Sequence, residues 1–185
     1  MVKDKNNNSG SGIKVEEINY SFGRVLEKKI SELPENFTIL FLTNASNYNE
    51  IVLGIIEVMV AGKKLNGVYL TANRQSSALL QMFSKEFKNI DLKKVFFLDC
   101  VSKGFGESER AVECSPQNLI DLNISINQAL DAIPVGGFLV VDSINTLAIY
   151  NDEKVLKKFV KAIVEKCYAK KVNGIFLCSK SETME

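Results

Sequence analysis

The sequence predicts an α/β chain built on a doubly wound parallel sheet, and three observations carry that prediction. Short apolar blocks without alternation recur along the chain. Amphipathic stretches at helical spacing separate them. The clearest block, Gly136-Gly137-Phe138-Leu139-Val140-Val141-Asp142-Ser143, ends abruptly in a carboxylate and a hydroxyl. A strand apolar on both faces belongs at the centre of a parallel sheet, with helices above and below. Strand–helix alternation of this kind gives right-handed crossovers and a three-layer domain. An aspartate at the C-terminal end of such a strand points into the crevice where open α/β sheets place their ligands.

The elements follow in order. Residues 1–12 (MVKDKNNNSGSG) are too polar to bury apolar area and are expected to be a disordered tail; residues 13–185 form one domain. Over 13–33, Ile18, Phe22, Val25, Leu26, Ile30 and Leu33 recur at helical spacing before Pro34, giving an extra N-terminal helix, with Gly23 a point of interruption. Residues 37–43 (FTILFLT) are the first strand; a polar turn and an apolar helix over 48–61, stopped by Gly62, follow. The second strand is 68–72, and the next helix carries Leu79, Leu80, Phe83 and Phe87 on one side. The third strand is 95–99, followed by an irregular segment over 101–114. Within it, 103–113 (KGFGESERAVE) is long enough for a functional or mobile loop.

Ser115-Pro116 gives a helix start, with serine as N-cap and proline at the first helical position, and Pro134 closes that helix. The block containing Asp142 is the fourth strand. After a loop over 145–151, a helix over 152–171 turns Val155, Leu156, Phe159, Val160, Ile163, Val164 and Tyr168 to the core, and 174–179 is the fifth strand. The lysines of that helix (Lys154, Lys157, Lys158, Lys161, Lys170 and Lys171) read as a solvated face balanced by Asp152, Glu153 and Glu165.

Composition narrows the function. The chain has no histidine, which removes the commonest general base and metal ligand. Its formal net charge of +1 argues against a dedicated nucleic-acid binder. Cys100, Cys114, Cys167 and Cys178 form no C-x-x-C pair, so no zinc site is expected; they read as small thiols in a reducing compartment. No apolar run is long enough to span a bilayer and the N-terminus has no apolar signal core, so the expected location is the cytoplasm.

Three segments carry a resemblance: FTILFLT, GVYLTANR and GGFLVVDS. They resemble, in order, the strand before the phosphate loop, the strand ending in a catalytic glutamate, and the Walker B strand of RecA/KaiC-like P-loop ATPases. FLDCVS, SPQNLIDLNISINQAL and VVDSINTLAIYND are similar to a group of archaeal KaiC-related proteins of unassigned function. The resemblance covers residues 38–179 and implies a five-stranded sheet in the order third, second, fourth, fifth, first. That order puts the first strand at an edge, where an exposed apolar strand invites pairing with another chain.

The chemistry expected of such an ATPase is missing from the residues. A phosphate loop needs glycines, a lysine and a Ser/Thr hydroxyl. The corresponding residues here are Thr43-Asn44-Ala45-Ser46-Asn47-Tyr48-Asn49-Glu50, with Asn49 in the lysine position and Glu50 in the hydroxyl position. Glu50 would take the end of the helix dipole that phosphate uses, and Asn47 and Glu50 have capping-box spacing. Asn73 and Arg74 stand where a glutamate would activate water. Only Asp142 of the hydrolytic set remains.

The expectation is therefore a non-catalytic, pseudo-ATPase domain without ATP, Mg²⁺ or another cofactor, acting on a protein partner or on itself as a regulatory module. A second reading makes the crevice of Thr43, Asn44, Asn49, Asn73, Arg74, Asp142 and Ser143 a sensor for a small polar ligand. A third is a non-standard nucleotide hydrolase completed by a partner.

Overall fold

The computed structural model describes residues 22–104 and 110–180. The expected tail over 1–12, the start of the first helix and the middle of the 103–113 loop lie outside the described residues. The elements are α1 (Phe22–Ser31), β1 (Thr38–Thr43), α2 (Tyr48–Ile56), β2 (Gly67–Thr71), α3 (Ser76–Glu86), β3 (Val95–Asp99), β4 (Ala111–Glu113), α4 (Leu119–Ala132), β5 (Phe138–Asp142), α5 (Ile144–Tyr150), α6 (Glu153–Lys170) and β6 (Asn173–Ser179).

The strands form one parallel sheet in the order β1-β6-β5-β2-β3-β4. This is the expected order with one strand added. β4 extends the edge beside β3, so the sheet has six strands rather than five. Its three residues sit in a segment without periodicity, which is why the sequence reads it as loop.

Alternate strand residues feed two cores, as the pleat requires. On one face Tyr69, Val95, Phe97, Phe138, Val140, Ile175 and Leu177 pack under α1, α2 and α3. On the other, Val68, Leu70, Leu98, Leu139, Val141 and Phe176 pack under α4, α5 and α6. β2 and β5 are buried at every position, as blocks without alternation predict. Gly67 is required at the foot of β2, because any side chain there would enter the Phe138 ring on β5.

Several elements depart from expectation. α1 runs through Gly23 unbroken and buries Leu26 and Ile30 against α2, whereas Val25 is exposed. α2 continues into a π-helical turn over Glu57–Gly62, where the Lys63 N–H reaches the Val58 carbonyl at 2.8 Å. That wider turn turns three successive residues, Val58, Met59 and Val60, into the core. α4 begins at Leu119, not after Ser115: Asn118 is the N-cap, accepting from the Asp121 N–H at 3.2 Å, while Ser115 opens the preceding turn. The expected 145–151 loop is α5, started by Ser143, whose hydroxyl accepts from the Thr146 N–H at 3.4 Å. On α6, Leu156, Phe159, Ile163 and Cys167 are buried, but Val155 and Tyr168 face solvent.

Among the described residues the β1 edge is open. Leu40 and Leu42 are each 56% exposed, because α5 and α6 cover the neighbouring strands and stop short of it.

Candidate functional site

All six strands run the same way, so their C-terminal ends share one rim. There β5 ends in Asp142, opposite Thr71 of β2 and Leu177 of β6. By the alternation along β5, Val140 faces the α2 side and Val141 the other, so Asp142 returns to the α2 side. Tyr69, two residues before the end of β2, lies on that side too and reaches up to it.

Three donors converge on the Asp142 carboxylate. The Tyr69 hydroxyl donates to Oδ2 at 2.6 Å and the Asn73 amide to Oδ1 at 2.8 Å. The Tyr48 hydroxyl donates to Oδ1, and the Asn73 amide also reaches the Tyr48 oxygen at 3.0 Å. Tyr48 is the first residue of α2, so the turn after β1 places its ring directly over the end of β5. The other side of Asn73 is held as well: its carbonyl accepts from the Thr146 and Ser143 hydroxyls, the latter at 3.4 Å.

Burial is the largest influence on Asp142 and pushes its carboxyl above the usual range; Tyr48, Tyr69, Asn73 and the nearby Arg74 charge pull it back without cancelling that rise. Burial, then the Asp142 charge, push both tyrosines up, so they stay protonated and act as donors. The result is a closed polar cluster in which both carboxylate oxygens already have protein partners. Among the described residues, no group of three His, Cys, Asp or Glu side chains could hold a metal ion.

Of the seven crevice residues expected from the sequence, Asn73, Arg74, Asp142, Ser143 and Asn49 come together. Arg74 spans the turn between β2 and α3 and its Nη2 donates to Asn49 Oδ1. Thr43 and Asn44 do not join them: the Thr43 hydroxyl donates to the Asn44 carbonyl at 3.1 Å, and Asn44 only opens the short turn before α2. The expected capping box is also absent. Asn47 makes no side-chain cap bond, its carbonyl oxygen accepting instead from Ser46, and Glu50 is exposed on the first turn of α2. What fills the mouth of the sheet is Tyr48, not Glu50.

Sequence reasoning missed Tyr69 and Thr146. Nothing in an apolar strand marks Tyr69, since tyrosine is an ordinary core residue. What remains open above the cluster is a hollow of about 350 Å³ bordered by Ala45, Tyr48, Arg74, Asn145 and Ser179. Asn145 closes its far side by a reciprocal amide pairing with Ser179, at 2.7 and 2.9 Å.

No family model matches the sequence, and no curated protein matches it either. A solved KaiC-like protein from the hyperthermophilic archaeon Pyrococcus horikoshii does match in structure, with a TM-score of 0.57 at 19% identity, over 83% of this chain and 67% of that one. The fold is KaiC-like. The parallel sheet and the helices on both of its faces agree with that architecture. Asp142 lies at the C-terminal rim of this sheet.

Proposed function

We propose that the chain is a non-catalytic RecA/KaiC-like domain, of a branch that has lost the phosphate loop, acting in the cytoplasm as a regulatory or protein-interaction module. One observation carries the reading: the Tyr48 hydroxyl binds Asp142. In the eight residues that correspond to the phosphate loop, Tyr48 stands in the position of the last glycine, where a nucleotide's phosphates need close approach to the backbone. Its ring takes that space and its hydroxyl takes the carboxylate oxygen a hydrated Mg²⁺ would use.

The neighbouring substitutions point the same way. Asn49, in the lysine position, is held by Arg74, and Asn73, in the glutamate position, offers an amide that cannot accept a proton from water. Phosphoryl transfer depends almost wholly on positioning and electrostatics, and each of those parts is engaged in holding the crevice shut. The open β1 edge, with Leu40 and Leu42 exposed, supplies the surface on which another protein or a second copy would pair. No helix of the described residues is long and apolar enough to cross a membrane.

A second reading keeps the hollow above Tyr48 as a site for a small polar ligand, favoured by Arg74 and the amides and hydroxyls on its rim. Titration with ATP–Mg²⁺ at millimolar concentration, followed by calorimetry and phosphate release, tests the proposal. No saturable binding and no turnover are expected. Turnover abolished by Asp142→Ala would overturn the non-catalytic reading in favour of a hydrolase with a non-standard loop.

A further inference from the structure

Cys100 and Cys114 are far apart in sequence and adjacent in space. Each lies one residue beyond the last paired positions of the edge strand β4 and its neighbour β3, Glu113 and Asp99. The ladder carries on to them, since the Cys114 N–H donates to the Asp99 carbonyl at 2.8 Å. Neighbouring strands lie about 4.8 Å apart, inside the Cα separation of about 4.4–6.8 Å that a disulfide spans. Both side chains pack into the same core, on the α4 side of the sheet. The Cys114 thiol donates to the Val112 carbonyl at 3.8 Å, and the two thiols lie near enough for each to shift the other's titration.

We propose that Cys100 and Cys114 form a dithiol modification site that small disulfides oxidise to an intramolecular disulfide, tying the end of β4 to the end of β3. The attacking group is Cys114. It is only half-buried, whereas Cys100 is 8% exposed. The neighbouring Cys100 thiol draws the Cys114 thiol below its ordinary range, with Ser125 of α4 assisting against burial and the Asp99 charge. Cys114 beside it, then burial, push Cys100 up.

In the first step the Cys114 thiol releases its proton to solvent and the thiolate attacks one sulfur of the small disulfide. A mixed disulfide forms and one small thiol leaves. In the second, Cys100 gives up its proton and attacks the Cys114 sulfur, expelling the second small thiol. Two electrons pass from the cysteine pair to the oxidant, and two small thiols are released for each protein disulfide made. Cys167 of α6 takes no part: it is fully buried, and burial pushes its thiol up to about 12.

The test is incubation of the reduced full chain with oxidised glutathione under native conditions, then alkylation and peptide mapping without reductant. Two of the four thiols are expected to become resistant to alkylation, with the linked peptides containing Cys100 and Cys114 and no glutathione retained on either. Cys100→Ser should stall with one glutathione on Cys114, and Cys178→Ser should leave the Cys100–Cys114 bond unchanged. Should Cys100→Ser fail to fold, the map of the unaltered chain decides alone. Glutathione retained on Cys114 of that chain, a bond mapped to another pair, or four thiols still free would each overturn the proposal.

Discussion

Two aspartates end two strands flanking β2, both about 1% exposed, and the protein treats them in opposite ways. Asp99, at the end of β3, is met by the backbone. It accepts from the N–H groups of Ser76, Val101 and Ser102 at 2.7, 2.9 and 2.8 Å, and from the Ser102 hydroxyl at 2.8 Å. Asp142, at the end of β5, is met by side chains alone. Burial pushes both carboxyls up, but the bonds from Ser102, Ser76 and Val101 pull Asp99 below the ordinary range, while Asp142 stays above it. Backbone amides of a turn and of a helix N-terminus are oriented by the fold and bring the dipole with them; hydroxyls and an amide offer less to a negative charge. Asp99 is therefore a structural cap for α3, whose own N-cap residue Gln75 makes no side-chain bond. Asp142 carries the cost of a buried carboxylate without that return.

The sharpest way to break this contrast is Asp99→Ala. It orphans the Ser76 N–H at the start of α3 together with those of Val101 and Ser102. At about 1–3 kcal/mol for each unsatisfied donor, less where water reaches, the loss should be on the order of 3 kcal/mol. Urea denaturation measures it; a loss under about 1 kcal/mol would show that the turn finds other acceptors.

Tyr48→Phe should have a smaller effect, because it removes one donor and keeps the ring. A hydrogen bond to a charged group contributes about 1.5–3 kcal/mol, and the Asn73 amide remains on the same oxygen. A destabilisation of about 1.5 kcal/mol is expected, with Asp142 driven further above the usual carboxylate range. NMR titration of the side-chain carboxyl resonances would follow that rise, and an unchanged titration would remove Tyr48 from the account of Asp142.

The contrast also explains what the sequence could and could not reveal. β2 and β5 were legible because both faces are apolar, and α6 because its core residues recur at helical spacing. Val155 and Tyr168 belong to the same pattern yet face solvent, since a stripe read from spacing alone is wider than the surface the sheet offers. β4 carries no pattern: three residues beside β3 are a strand only because β3 is there. The candidate site divides in the same way. Asp142, Asn73 and Arg74 stand at strand ends and can be placed from the sequence. Tyr69 and Thr146 reach the cluster from β2 and α5 through registers that only the folded chain sets. The Asn47–Glu50 spacing suggested a self-capped helix, but spacing cannot decide between a cap and a neighbouring aromatic that occupies the same end.

Asp142→Asn gives the smallest change at neutral pH and the most specific one across pH. The amide can keep its oxygen at the Oδ1 position for Tyr48 and Asn73 and donate from the other position to the Tyr69 oxygen, so the change at pH 7 should be about 1 kcal/mol. A carboxyl raised in the folded state binds its proton more tightly there than in the unfolded chain. The unaltered protein therefore gains stability from Asp142 as pH falls through the folded value towards about 3.9, and the asparagine variant does not. Stability of the unaltered chain relative to Asp142→Asn should rise on acidification. Asp99 has the opposite sign: its contribution is present above about 3.9 and fades as pH falls through its depressed folded value. Denaturant midpoints for Asp142→Asn and Asp99→Asn, each measured against the unaltered chain from neutral to acid, should diverge in opposite senses. If the two differences ran parallel, the carboxylates would be equivalent, and Asp142 would be a second cap rather than the remnant of a site.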